Sequence, residues 1–192
     1  MVKAGRDRLP PGQVETKQFP ILDLGVRPSR DNYSRWSLEI FGKIKSPRTL
    51  SPAGLKALGG EGITADFHCV TRWSRYDLHW TGIHFPKMIE LAKPNPNAVF
   101  AIFYSYDKYT TNVSLGELLK PNVIVVYELD AGEIPPEHGG PIRMIIPHLY
   151  GWKSAKFLTG IEFTENDKLG FWETRGYSNR ARPWVEERYS DG

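Results

Sequence analysis

The single cysteine of this chain, Cys69, stands in the stretch Phe67-His68-Cys69-Val70-Thr71-Arg72, with Arg75 close behind. A thiol in that setting has two chemical uses, nucleophile or soft-metal ligand, and both need the thiolate. Neighbouring positive charge favours the thiolate, so Arg72 and Arg75 are read as lowering the Cys69 pKa. The plainer reading is a small buried hydrophobe. A thiol nucleophile would also need a histidine base and an orienting partner. Five histidines are available (His68, His79, His84, His138, His148), but no protease signature surrounds Cys69. A zinc site from Cys69, His79 and His84 lacks the spacing of the common zinc motifs. A lone cysteine excludes an internal disulfide.

Two later segments carry different chemistry. In His138-Gly139-Gly140-Pro141-Ile142-Arg143 a tight turn feeds a strand that holds an arginine among apolar neighbours. A snorkelling arginine would explain that pattern structurally. In Gly151-Trp152-Lys153-Ser154-Ala155-Lys156 a glycine, a hydroxyl and two ammonium groups lie close together. Backbone N–H groups, a hydroxyl and point charges suit a phosphate. The G-x-x-x-x-G-K-[ST] pattern does not occur, so this is not a P-loop.

The elements that must position these residues can be read from periodicity and punctuation. Strands are expected at 36–41, 48–50, 63–70, 98–104, 122–129, 141–147 and 156–165. Ser51 with Pro52 behind it reads as the cap and first residue of a helix running to about Leu58. A second helix is expected over 85–92, and Ser114 with Glu117 has the spacing of a capping box. Neither a βαβ rhythm nor an internal repeat is present. The pattern is mainly β with three short helices: one α+β domain with a mixed sheet or partial barrel over 21–192, preceded by an N-terminal arm over 1–20.

Composition agrees with one ordinary domain. The chain has 192 residues, 40% hydrophobic and 24% charged, with a net charge of +3. Gly 18 and Pro 15 make it loop-rich and argue against a helical bundle. No apolar run is long enough to span a membrane. The first residues lack the apolar core of a secretory signal, which leads to the expectation of a cytoplasmic protein. The aromatic, arginine-bearing tail could stack on single-stranded nucleic acid. Glu173, Glu186 and Glu187 interrupt its charge, so no nucleic-acid partner is expected. Packing of Trp172, Tyr177 and Trp184 against the sheet is expected instead.

Taken together, the segments 66–74 (DFHCVTRWS), 106–112 (YDKYTTN), 137–163 (EHGGPIRMIIPHLYGWKSAKFLTGIEF) and 170–177 (GFWETRGY) resemble the molybdopterin-binding domain of the sulfite oxidase superfamily. The similarity runs over roughly residues 20–189 and is nearest to the short, single-domain bacterial and archaeal branch. It implies a molybdenum-molybdopterin cofactor and oxygen-atom transfer. By this resemblance Cys69 is the metal's protein ligand, and Tyr109 is the active-site tyrosine that donates a hydrogen bond to substrate. His138 and Arg143 fall on contacts to the pterin and its phosphate. Ser154, Ala155 and Lys156 fall on the phosphate-binding stretch. Tyr104 and Ser105 fall near a further cofactor contact and Trp80 on the pocket lining; Arg72 and Arg75 are read, from their charge rather than from the resemblance, as attracting an anionic substrate.

Where sulfite oxidases carry an Arg-Asn-His stretch, this chain reads Asp23-Leu24-Gly25; where they carry a pocket arginine after the cysteine, it has Ser74. An oxyanion in a partly dry site needs its charge paired. The substrate is therefore read as a small molecule, anionic or a sulfoxide, with sulfite in question. No C-x-x-C-H occurs and no haem is expected, so a separate electron-transfer partner is implied. A module that binds or carries molybdopterin without turnover is the alternative.

Overall fold

In chain order the strands are β1 (Val14–Glu15), β2 (Leu38–Gly42), β3 (Arg48–Leu50), β4 (Glu61–His68), β5 (Trp73–His84), β6 (Phe100–Ser105), β7 (Thr110–Ser114), β8 (Ile124–Leu129), β9 (Gly132–Glu133), β10 (Arg143–Ile145) and β11 (Leu158–Thr164). The helices are α1 (Pro52–Ala57), α2 (Phe85–Ala92) and α3 (Leu115–Leu118). The computed structural model describes residues 8–190; the first residues of the expected arm, 1–7, lie outside the described residues.

The strands form two mixed sheets and no closed barrel. The first follows the order β1-β5-β8-β10, with β4 along the other edge of β5 and β9 on β8. The second follows β3-β2-β11-β6-β7. Only β1 with β5 and β2 with β11 run parallel. Leu38, Ile40, Phe103, Ile161 and Phe163 of the second sheet join Ile83, Val125 and Met144 of the first in the main core. A smaller core of Ala65, Leu78, Trp80, Ile124, Val126, Ile134 and Ile145 covers the far face of the first sheet. Strand β8 therefore feeds both cores, which is why 124–127 is apolar at every position rather than at alternate ones.

Local chemistry sets the helix starts. The Ser51 hydroxyl accepts from the Gly54 N–H at 3.0 Å, and Pro52 needs no donor at the first turn. The Ser114 hydroxyl likewise accepts from Glu117 N–H at 3.4 Å. The reciprocal half of the expected capping box is missing: the Glu117 carboxylate bonds Lys120 and His148 instead.

Four expectations need correction. Strand β5 lies outside the expected set, although Ser74, Tyr76, Leu78 and Trp80 are buried in strict alternation. The polar Arg75, Asp77 and His79 between them mask an apolar run without breaking the period of two. Strand β7 likewise lies outside the expected set. Trp36, expected as the first residue of a strand, stands before β2, at the end of the 3-10 turn Arg30–Arg35, where its indole donates to Leu158 O at 2.8 Å. Trp184 stays 46% exposed, its ring edge against His68, whereas Trp172 and Tyr177 do pack on the core. Among the described residues no helix is long and apolar enough to cross a membrane.

Candidate cofactor site

Strands β4 and β5 make a hairpin, and Cys69 is the first residue of its turn. Cys69 N–H donates to Trp73 O at 2.9 Å, and Arg72 N–H to Cys69 O at 3.1 Å. Arg72 occupies the left-handed region at φ 72°, which closes the turn, and it does not line the cavity. The Gln13 amide, fixed by the pairing of β1 with β5, reaches into this turn. It donates to Cys69 O at 3.0 Å and Trp73 O at 2.9 Å. Arg188 donates to Val70 O at 2.8 Å and to Gln13 Oε1 at 3.1 Å. Both ends of the described chain thus clamp the turn that presents Cys69.

The thiol opens on a cavity of about 300 Å³, within the range of small-ligand sites. Cys69 Sγ lies 3.1 Å from the Thr71 hydroxyl. Burial pushes the Cys69 pKa up, against the hydrogen bond from Thr71 and the charge of Lys156. This corrects the expected influence of Arg72 and Arg75. Neither lines the cavity, Arg75 donates to Tyr76 O, and the cation that Cys69 feels is Lys156.

β10 and the segment before β11 supply the positive charge of the cavity. Arg143 is 1% exposed, and its guanidinium donates to the carbonyls of His138 at 2.6 Å and Ser154 at 3.1 Å. It lies over the rings of Phe67 and Trp80, at 5.5 and 5.4 Å. Lys156 donates to Glu137 O at 2.7 Å. Burial lowers Arg143 to about 9 and Lys156 to about 7, with Arg143 depressing Lys156 further. Two cations so placed, with donors going to carbonyls and no carboxylate in contact, form a cradle that lacks its anion.

The turn before β10 gives the cradle its shape. Gly139 sits at φ +99°, and a Cβ there would lie 2.7 Å from Lys156 Cγ. Glycine is needed on both counts. His138 stacks on Phe19 at 4.4 Å, its pKa lowered by burial and by the charges of Lys156 and Arg143, and its Nδ1 has no partner among the described residues. Ser105 Oγ is also without a partner among them. Ser154 Oγ is engaged, accepting from Ile146 N–H at 2.9 Å.

The cavity therefore brings together Cys69, Ser105, Tyr109, His138, Arg143, Ser154, Ala155 and Lys156. It does not bring in Tyr104, Arg72 or Trp80. Tyr104 follows the alternation of β6 to the opposite face from Ser105, where its hydroxyl donates to Glu162 at 2.5 Å. Trp80 is a core residue beneath Arg143. Tyr109 lines the wall, but its hydroxyl already donates to Trp152 O at 2.5 Å rather than standing free for a substrate. Trp152 in turn donates to Glu173 at 3.1 Å, which pairs with Lys153 at 2.6 Å in full burial. Sequence reading missed Gln13, Phe19, Phe67 and Asp107 at or behind this wall. Only Asp107 carried a local signal, as a turn residue between β6 and β7.

Two mixed sheets carry a part-enclosed cavity whose lining holds one thiol and two cations, a setting suited to an anionic ligand. Residues 24–172 match the family described as oxidoreductase molybdopterin binding domain, and the chain belongs to that family. It is 38% identical over 183 residues to the uncharacterized oxidoreductase YuiH of Bacillus subtilis (strain 168), covering 95% of this chain and 92% of that one. It is 29% identical over 160 residues to the protein-methionine-sulfoxide reductase catalytic subunit MsrP of Campylobacter jejuni, covering 74% of this chain but 54% of that one. Against the NADPH nitrate reductase of Fusarium oxysporum it is 29% identical over 132 residues, 58% of this chain and 14% of that one. The fold is shared with the crystal structure of the sulfane dehydrogenase SoxCD from Paracoccus pantotrophus, with a TM-score of 0.67 at 14% identity over 86% of this chain and 46% of that one.

The site fits a phosphate-bearing, thiolate-ligated metal cofactor. The cradle lacks an anion, Cys69 is an unpaired thiol in the same wall, and His138 Nδ1 and Ser105 Oγ lack partners beside them among the described residues.

Proposed function

We propose that this enzyme catalyses oxygen-atom transfer to or from a small sulfur compound, sulfite or a sulfoxide, at a molybdenum held by Cys69. The observation that carries the reading is the placement of the lone thiol and the unpaired Arg143–Lys156 cradle in one cavity wall. In this reading Arg143 and Lys156 hold the cofactor's phosphate, His138 and Ser105 bond its polar edge, and Cys69 ligates the metal. When bound, the cofactor supplies the two-electron redox chemistry and the exchangeable oxygen.

The chain's own residues do the rest. Gln13 and Arg188 hold the Cys69 turn in place. The Thr71 hydroxyl fixes the direction of Sγ. Phe19, Phe67 and Trp152 exclude water, which strengthens every charge interaction inside. Tyr109 keeps the Trp152 backbone in register with the wall through its hydroxyl. Electrons are exchanged with a separate partner, a redox protein or a small carrier.

The test is elemental analysis of purified protein, with the pterin measured by fluorescence after oxidation of the same sample. About one molybdenum per chain with a pterin signal is the expected result. A metal-free, pterin-free protein from a host that makes the cofactor would overturn the reading.

A further inference from the structure

The charged groups around the cavity carry an inference about which substrates it admits, and it rests on the cofactor reading above. Besides Arg143 and Lys156, the lining holds two carboxylates, Asp23 and Asp107. Burial and the charges of Lys156 and Arg143 push the His138 pKa down, which disfavours a further positive charge there. Counted together with Arg27, the partner of Asp23, three cations stand against these two carboxylates. A bound phosphate group turns that balance negative, because the cradle is then consumed.

The third cation stands close by. Arg27 reaches the lining carboxylate Asp23, and its charge also acts on His138 and Lys156. It is not free to receive an anion. Its Nε donates to Asp23 Oδ2 at 2.6 Å, and Asp23 Oδ1 accepts from Gly25 N–H at 2.9 Å. The Asp23 side chain is buried, while that of Arg27 is 43% exposed. The pair is closed inside one turn of chain, and Asp23 is its fixed member. Arg72 and Arg75 do not line the cavity.

We propose that Asp23 is a specificity-determining residue: by holding Arg27 it leaves the loaded cavity without a cation for a second anion, so the site admits an uncharged sulfoxide and turns away a sulfur oxyanion. The corresponding turnover takes one sulfoxide, two electrons and two protons to one thioether and one water. The sulfur–oxygen bond breaks, sulfur is reduced, the oxygen leaves as water, and both electrons come from the separate reduced redox partner.

Asp23→Asn tests this, because asparagine keeps the acceptor for Gly25 N–H and releases the guanidinium. Charge selectivity can be read without turnover, since Cys69 is the only thiol in the chain. In protein prepared without molybdate, the ratio of Cys69 alkylation rates with iodoacetate and iodoacetamide compares an anion with its neutral analogue. The ratio should rise about threefold to tenfold in Asp23→Asn and fall back in Asp23→Asn/Arg27→Gln. In molybdenum-loaded protein, kcat/KM for sulfite with ferricyanide should rise by a similar factor relative to kcat/KM for dimethyl sulfoxide with electrochemically reduced methyl viologen. The change should lie in KM. An unchanged alkylation ratio in Asp23→Asn, or a gain that survives Arg27→Gln, would overturn the proposal. Failure of the cofactor reading shows separately, as absence of molybdenum or as Cys69 alkylated equally fast in loaded protein.

Discussion

The side-chain amide of Gln13 donates to the carbonyl of Cys69 at 3.0 Å, across 56 residues of sequence. The same amide nitrogen serves Trp73 O, and its oxygen accepts from Arg188. The residue that presents the thiol is therefore held from the two far ends of the described chain. A short parallel pairing, β1 on β5, sets the reach.

Gln13→Ala should lower the unfolding free energy by about 1–3 kcal/mol, the cost of leaving buried partners unsatisfied. Urea titration measures this. Molybdenum content should fall more steeply than stability, because the turn that carries Cys69 loses its brace.

Cys69→Ser should keep the melting temperature within a few degrees and lose retained molybdenum. The exchange is nearly isosteric, and the Thr71 hydroxyl can bond oxygen as well as sulfur. Thermal melting and metal analysis on one preparation separate the two effects. A loaded, active Cys69→Ser enzyme would remove the thiol from the ligand role.

Lys156 titrates at about 7 in the fold, against an ordinary 10.5. Between those values the unfolded chain binds the proton and the folded chain does not. Stability therefore rises with pH across that window, and the burial penalty is fully present below about 7. Urea midpoints at about pH 6.5 and about pH 9.5 should differ in that direction and converge in Lys156→Met. An anion in the cradle restores the charge. Sulfate binding to cofactor-free protein should then weaken about tenfold per pH unit above about 7.

Lys153 and Glu173 form a fully buried ion pair behind Trp152, with Lys153 also donating to Asn112 Oδ1 at 3.1 Å. Burial lowers the Lys153 pKa while Glu173 opposes the shift. Glu173→Gln leaves the ammonium without its counter-charge and should cost about 3–5 kcal/mol. The double variant Lys153→Met/Glu173→Leu should recover part of that loss. Denaturant unfolding of the wild type and these two variants measures both changes.

Gly139→Ala places a Cβ against the Lys156 stem at a left-handed φ. A loss of about 1–3 kcal/mol is expected, with weaker sulfate binding to the cofactor-free protein. Calorimetry on the variant checks both.

Much of this protein is legible in its residues because the controlling interactions are local. Helix α2 falls on the expected bounds, and α1 starts where Ser51 and Pro52 put it. Strands β6, β8, β10 and β11 lie within two residues of the apolar runs that predict them. The same holds for the set of lining residues from 138 to 156, which the resemblance picked out as a block and the fold brings to one cavity.

The misreadings share a cause: each depends on which face of an element a side chain takes, or on a partner far along the chain. Tyr104 and Ser105 are neighbours in sequence, yet the pleat of β6 sends only Ser105 to the cavity. Arg72 is near Cys69 in sequence, yet it does not line the cavity, and Lys156 is the cation that the thiol feels. Tyr109 reaches the wall, but its hydroxyl already donates its hydrogen bond to Trp152 O. Residue types and order determined the cofactor chemistry this chain can support and the family it belongs to. Tertiary structure decided which charges line the cavity, because desolvation and Coulomb forces act over distances in space that order along the chain does not encode.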